Sequence, residues 1–267
     1  MSGAWRRRPR VTLLLAVGVV VWVSSARAIV VRHDRDEAAY RARAAAYPAA
    51  AQVLPDGAGV LVAPRWVLTA AHVARGVSRR TPRVVVGERE IAIDWIVLHP
   101  EWRDMGAHDI ALMRLVTPVD DIAPAQPYTG DDEVGVMVTF VGNGDFGDGQ
   151  TGPRERDGVR RAATNRVEAV DDDWIYFRFD APPDGSDLEG VSGPGDSGGP
   201  ALIERDGSVF TLGVSVFSRG AKPGRYGVEE IYTRVSTHRA WIESVLNGTI
   251  DAGFAPQAAA RDRKPER

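Results

Sequence analysis

Beyond Ala51 the chain is a succession of short apolar runs broken by Gly, Pro and Asp. Several runs alternate with other positions at a period of two. Val134, Val136, Val138 and Phe140 alternate with Gly135, Met137 and Thr139, and Ile175, Phe177 and Phe179 with Trp174, Tyr176 and Arg178. Ile91, Ile93, Trp95 and Val97 form a third series. Successive side chains of a strand point to opposite faces, so each series predicts a strand with one buried face. Many short strands with turn residues between them mark an all-β sandwich or barrel.

Near the end the period changes. Trp241, Ile242, Val245 and Leu246 fall on one face of a helix that Ser236 or Thr237 caps and Asn247-Gly248 ends. Residues 249–267 are polar and rich in Pro and Ala, the composition of a disordered tail. Gly142 to Gly158 carries glycine and charge without an apolar period and reads as a surface loop. Ile29 to Ala51, alanine-rich with scattered arginines, supports no single element.

The first residues are of another kind. Arg6, Arg7, Arg8 and Arg10 precede an apolar stretch from Val11 to Val23, and Ala26-Arg27-Ala28 has the A-x-A form of a leader cleavage site. The stretch falls short of the roughly 20 residues that span a bilayer. Residues 1–28 therefore read as an export signal, with an uncleaved anchor as the competing reading, and the mature protein is expected to be secreted or periplasmic. The twin-arginine type of signal matches only loosely.

A net charge of −3 gives no electrostatic case for nucleic acid, and the absence of cysteine excludes disulfides, zinc–thiolate sites and a cysteine nucleophile. Neither a metal nor another cofactor is expected. The Asp171-Asp172-Asp173 run and the Asp145/Asp148 pair have calcium-like oxygen density, but solvated hairpin turns are the more economical reading. His33, His99 and His238 lie in polar or turn-like settings, and His108, beside Asp109 on a strand, should point to the opposite face.

Three fragments carry chemistry. In "RWVLTAAHV", Arg65 to Val73, small residues bring a strand end close to His72. In "HDIALMRL", His108 to Leu115, Asp109 opens an apolar strand, where a buried carboxylate needs donors such as an imidazole N–H. In "GPGDSGGP", Gly193 to Pro200, glycines around Ser197 allow positive φ and a turn that aims backbone N–H groups at one point.

Together "TAAH", "DIALMRL" and "GDSGGP", in that order, resemble the trypsin/chymotrypsin-like serine proteases, here of a cysteine-free, bacterial-type and secreted kind. The resemblance runs from about Ile29 to Gly248 and includes "YTRVSTHRAWI". It implies two six-stranded antiparallel β-barrels of the chymotrypsin type, a C-terminal α-helix, and an active site between the barrels in a protease domain over 29–248. It also implies a triad of Ser197 as nucleophile, His72 as general base and Asp109 as its orienting partner. The N–H groups of Gly195 and Ser197 would form the oxyanion hole.

Such a protein would act as a monomer on protein or peptide substrates, with no nucleic-acid partner and no membrane contact after signal cleavage. An esterase using the same acyl chemistry and a catalytically silent scaffold are the alternatives, although silent relatives usually lack a triad member.

For the specificity pocket, the resemblance puts Val191 at the base, where an acid would select Arg or Lys, and Ser215, Val216, Phe217 and Ser218 in the wall. Glu230 stands where a pocket-lining glycine is common. As a pocket residue, an acid entering from that wall would restore a preference for basic residues; exposed glutamate is the norm, so a surface charge is the preferred reading of Glu230 and apolar or small side chains are slightly favoured. Relatives become active when a new Ile-Val amino terminus pairs with the aspartate before the nucleophile. Here that implies Ile29 and Asp196, with leader cleavage after Ala28 as the activating step. Val31 and Arg32 replace the two glycines that commonly follow.

Overall fold

The computed structural model describes residues 29–79, 81–104, 106–220 and 222–256, so the leader and the last part of the tail lie outside the described residues. Two β-barrels dominate. The N-terminal barrel closes in the order Ala50–Leu54, Ala58–Ala63, Trp66–Thr69, Ala111–Leu115, Arg89–Leu98 and Arg83–Val86. The C-terminal barrel runs Met137–Gly142, Arg161–Val170, Trp174–Arg178, Glu229–Arg234, Ser208–Arg219 and Pro200–Arg205, and the last strand pairs back onto the first. Both are six-stranded and antiparallel, as the resemblance implied.

Each barrel is filled by its own apolar side chains. Val60, Leu61, Leu68, Ile96 and Leu112 fill the first; Val138, Phe140, Phe177, Leu212 and Tyr232 fill the second. The chain ends cross over. Trp241, Ile242 and Val245 of the helix Arg239–Leu246 join the core of the N-terminal barrel. Ile29 and Tyr40 join that of the C-terminal barrel. Each end thus ties the half of the chain it came from to the other half.

Local departures from the sequence reading have physical causes. Val134 and Gly135 precede the strand, which starts at Met137, and Val134 is exposed, while Val138 to Val141 are buried on both faces. Alternation also breaks in Arg89–Leu98. A register shift between Ile93 and Trp95 turns the strand, so that Ile96 is buried beside Val97. Ile175, Phe177 and Phe179 are all buried, as expected.

The C-terminal helix begins later than predicted. Ser236–His238 is a 3₁₀ turn whose Ser236 hydroxyl donates to Glu133, and the Thr237 hydroxyl donates to the Arg234 carbonyl, so neither side chain caps the helix. In the alanine-rich segment, Asp36 caps the helix Glu37–Ala44 by accepting from the Ala38 amide at 2.8 Å. The segment 142–158 is not an open loop. Asp145–Asp148 and Gly152–Arg156 form a hairpin, and its first strand pairs in parallel with Val30–Val31. The Asp171 run is a hairpin turn, with Asp171 accepting from the amides of Asp173 and Trp174. Of the tail, residues 249–256 are described, and Phe254 exchanges two backbone hydrogen bonds of 2.9 Å with Ile96. No helix among the described residues is long and apolar enough to cross a membrane.

Candidate active site

His72 and Asp109 meet because two neighbouring strands end together. Trp66–Thr69 pairs with Ala111–Leu115, and Thr69 stands opposite Ala111. His72 follows the end of one strand, in the helix Ala71–Val77, and Asp109 precedes the start of the other. Asp109 is fully buried. One carboxylate oxygen accepts the His72 backbone N–H at 2.9 Å, and the other lies 2.7 Å from His72 Nδ1. Facing a carboxylate, Nδ1 carries the proton and Nε2 is left with a lone pair. The Thr233 hydroxyl donates to the Asp109 carbonyl at 2.9 Å, so a strand of the C-terminal barrel also holds this residue.

The loop bearing Ser197 is pressed onto the same strand end. Gly198 has φ +83°, and a Cβ there would overlap the Thr69 hydroxyl and the Ala58 carbonyl. Only glycine allows both the backbone and the approach. The Ala58 amide donates to the Ser197 carbonyl at 2.8 Å, and the Gly198 amide to the Ser215 carbonyl at 2.8 Å. Gly195 also has positive φ, +94°. Among the described residues the Ser197 amide donates to no backbone carbonyl, while the Gly195 backbone takes part in an isolated β-bridge.

Ser197 lies where two cavities meet. One, of about 550 Å³, is lined by His72, Val73, Gly195 and Ser197. The other, of about 230 Å³, runs from Ser197 between Ser192 to Pro194 and the wall Ser215 to Ser218, with Glu230 among its lining residues. The four wall residues are those the sequence indicated. Glu230 is a correction: it is buried, 3% exposed, because its strand pairs on both sides, with Trp174–Arg178 and Ser208–Arg219. Val191 instead pairs with Val30 and packs against Phe179 and Val228.

The Ser192 hydroxyl donates to Glu230 at 2.6 Å and lies 3.0 Å from the Ser215 hydroxyl. Burial, with a small addition from Asp196, outweighs the Ser192 hydrogen bond and raises the Glu230 carboxyl to about 8. The sequence reading missed Ser192, as it missed Pro223 and Gly224, which also line this cavity. A serine beside a glycine-rich loop has no distinguishing pattern until an acid is known to face it.

Asp196 is likewise buried. It accepts from the amides of Gly193 at 3.1 Å and Gly144 at 3.3 Å, and burial raises it to about 8. A Cβ on Gly142 would overlap its carboxylate. Ile29 is fully buried in the core that the strand of Gly142 helps to build. Strand pairing holds the residues that replace the expected glycines. Val30 and Val31 pair with Val191 and Gly190, while the buried Arg32 binds the Ser186 carbonyl at 2.7 Å and Asp34 at 2.8 Å. His108, at φ +60°, turns away from the pair formed by His72 and Asp109.

The model of the family described as Trypsin matches residues 38–242. Serine protease 56 of mouse and of human are each 31% identical, over 73% and 72% of this chain. The chain spans only about a third of their lengths, 35% and 34%. Trypsin-1 of Astacus astacus is 31% identical over 67% of this chain and 83% of its own. Among solved structures, neuropsin, a serine protease expressed in the limbic system of mouse brain, superposes with a TM-score of 0.60. It is 23% identical and covers 74% of this chain and 94% of its own.

The raised carboxyl of Glu230 has a consequence for stability. In the fold it keeps its proton to about pH 8, whereas in the unfolded chain it ionises near 4.5. Across that window the unfolded state binds fewer protons, so stability falls as pH rises. Glu230→Gln removes this contribution. Urea unfolding should show the variant gaining on the parent between about pH 5 and pH 8, by on the order of a few kcal/mol. A constant difference would mean that Glu230 ionises normally in the fold.

Proposed function

The chain belongs to the trypsin family, and on that footing we propose that it is an exported serine endopeptidase. It would cut peptide bonds through an acyl-enzyme intermediate. One observation carries the reading: His72, held by the buried Asp109, borders the same cleft as Ser197 and Gly195. Ser197 Oγ attacks the scissile carbonyl while His72 Nε2 takes its proton. The developing oxyanion is received by the two amides. The tetrahedral intermediate expels the amine, protonated by His72, and leaves an ester on Ser197. Water, deprotonated by the same imidazole, releases the acid and restores the enzyme. Asp109 orients the ring and stabilises its cation throughout.

The preferred residue on the acyl side of the cut is basic. Glu230 is a buried carboxyl lining the cavity that opens at Ser197, and no cationic side chain bonds it among the described residues. An entering lysine or arginine supplies that cation, pulls the carboxyl back into its ionised range and lays its methylenes along Val216 and Phe217. This replaces the apolar preference expected from Val191.

Activation follows the same logic at Asp196. Cleavage after Ala28 would create an amine on the buried Ile29. Pairing it with Asp196 gives another buried carboxyl a cation and fixes the loop between Gly195 and Ser197. The processed domain would then run over 29–248, with 1–28 as the removed signal.

A fluorophosphonate serine probe should label the processed protein, and Ser197→Ala should abolish labelling and lower kcat by about 10⁶-fold. Absence of labelling in correctly processed protein would favour a silent scaffold. In a peptide-library profile, cleavage should follow Lys and Arg, and Glu230→Gln should reduce that preference by about 10²-fold. An apolar profile that the variant leaves intact would refute the basic pocket. N-terminal sequencing of the active form should begin at Ile29. One extra residue ahead of it should cost about 10²-fold in kcat, the scale of a lost oxyanion donor; full activity would exclude the pairing with Asp196.

A further inference from the structure

On the far side of Asp109 three imidazoles converge. His99 follows the strand Arg89–Leu98, His108 sits at φ +60° immediately before Asp109, and His238 closes the 3₁₀ turn before the C-terminal helix. One ligand nitrogen from each lies within 4.8 Å of the others. His108 Nδ1 is 3.0 Å from His238 Nε2, and the His99 and His108 rings stack with centroids 4.8 Å apart. Two nitrogens on one tetrahedral zinc ion stand about 3.3 Å apart, given zinc–nitrogen bonds of about 2.0–2.1 Å. The His108–His238 spacing is close to this, with a single proton now shared where an ion would sit.

The surroundings suit a cation. His238 Nδ1 lies 2.7 Å from the Arg234 carbonyl and donates to it, which leaves Nε2 with its lone pair directed into the cluster. A backbone carbonyl on the remote nitrogen is the usual outer support of a metal-bound histidine. The bond that His99 Nδ1 accepts from the Glu101 amide is long, 3.3 Å, and readily exchanged. Two carboxylates stand at the rim: Glu101 lies 3.4 Å from His108 Nε2 and Asp173 lies 3.9 Å from His108 Nδ1. Asp173, on the Nδ1 side, can complete a tetrahedral set, while Glu101 supports the remote nitrogen of His108, and both offset the charge. His108 is 30% exposed, so the cluster is open to solvent.

We propose that His99, His108 and His238 form a binding site for a divalent transition metal of the zinc type, with Asp173 as the fourth ligand. The donor set of imidazole with carboxylate favours zinc, copper or nickel over calcium and magnesium. The metal joins the loop after Leu98, the residue next to Asp109 and the base of the C-terminal helix. His99 and His108 lie in one connection of the N-terminal barrel and His238 lies 130 residues beyond His108, after the last strand of the C-terminal barrel, so the metal acts as a clip between the two halves. Sequence reading gave the histidines no joint role and expected no metal.

The test uses the full chain carrying Ser197→Ala to prevent self-digestion. Isothermal titration with zinc chloride should give one equivalent bound. Cobalt(II) should give the visible absorption of a tetrahedral nitrogen–oxygen site. His108→Asn, chosen because asparagine tolerates positive φ, and His99→Asn should each weaken zinc binding at least about tenfold. Zinc should raise the Tm of the parent and not of the variants, whose metal-free melting also reports that they fold. Absence of binding in the parent, or unchanged one-to-one binding in both folded variants, would overturn the site.

Discussion

The whole arrangement turns on one close approach, that of Gly198 to the end of the strand Trp66–Thr69. The backbone of the serine loop lies so near the Thr69 hydroxyl and the Ala58 carbonyl that no side chain fits between them. This contact brings a loop of the C-terminal barrel onto the strand end that carries His72. It also uses hydrogen bonds at both ends, from Ala58 to Ser197 and from Gly198 to Ser215. Small residues at 69–71 and glycines at 198 and 199 are two halves of the same steric requirement. If either were bulkier, the serine and the imidazole would stand on separate barrels with water between them.

Around that contact lie buried carboxyls with different fates. Asp109 has a partner for each oxygen in His72. Asp196 and Glu230 have hydrogen bonds from backbone or hydroxyl donors, no cationic side chain bonds either among the described residues, and burial outweighs the weaker pull of Arg156 on Asp196 to lift both to about 8. Each such carboxyl costs stability when ionised, and each is positioned to regain it from a cation brought in from outside. In the proposed mechanism one cation is the new amino terminus and the other is the substrate. The same physics thus accounts for activation and for selection.

The ends of the chain complete the structure without disulfides. The C-terminal helix lies in the apolar core of the first barrel, and Ile29 and Tyr40 in that of the second. Phe254 extends the first contact by pairing with Ile96. In a chain with no cysteine, these crossing segments and the apolar contact of Val141, Leu202 and Val214 with the first barrel link the two halves by hydrophobic burial.

The sequence by itself determined the strands with one apolar face, the C-terminal helix face, and the triad candidates, whose motifs carry their own spacing. Local pattern suffices there because alternation and short glycine-rich turns are properties of adjacent residues. It misplaced Val134, whose apolar character did not bury it, and Arg89–Leu98, where a register shift reversed the alternation. It named Glu230 as a pocket position yet preferred an exposed charge, because a glutamate in isolation belongs in water. Only the pairing of its strand on both sides decided that it would line a cavity. Likewise His99 and His108, in one loop and unremarkable singly, met the distant His238 only when the barrels and the terminal helix packed. Proximity between distant residues is set by strand register and barrel closure, which no local pattern encodes.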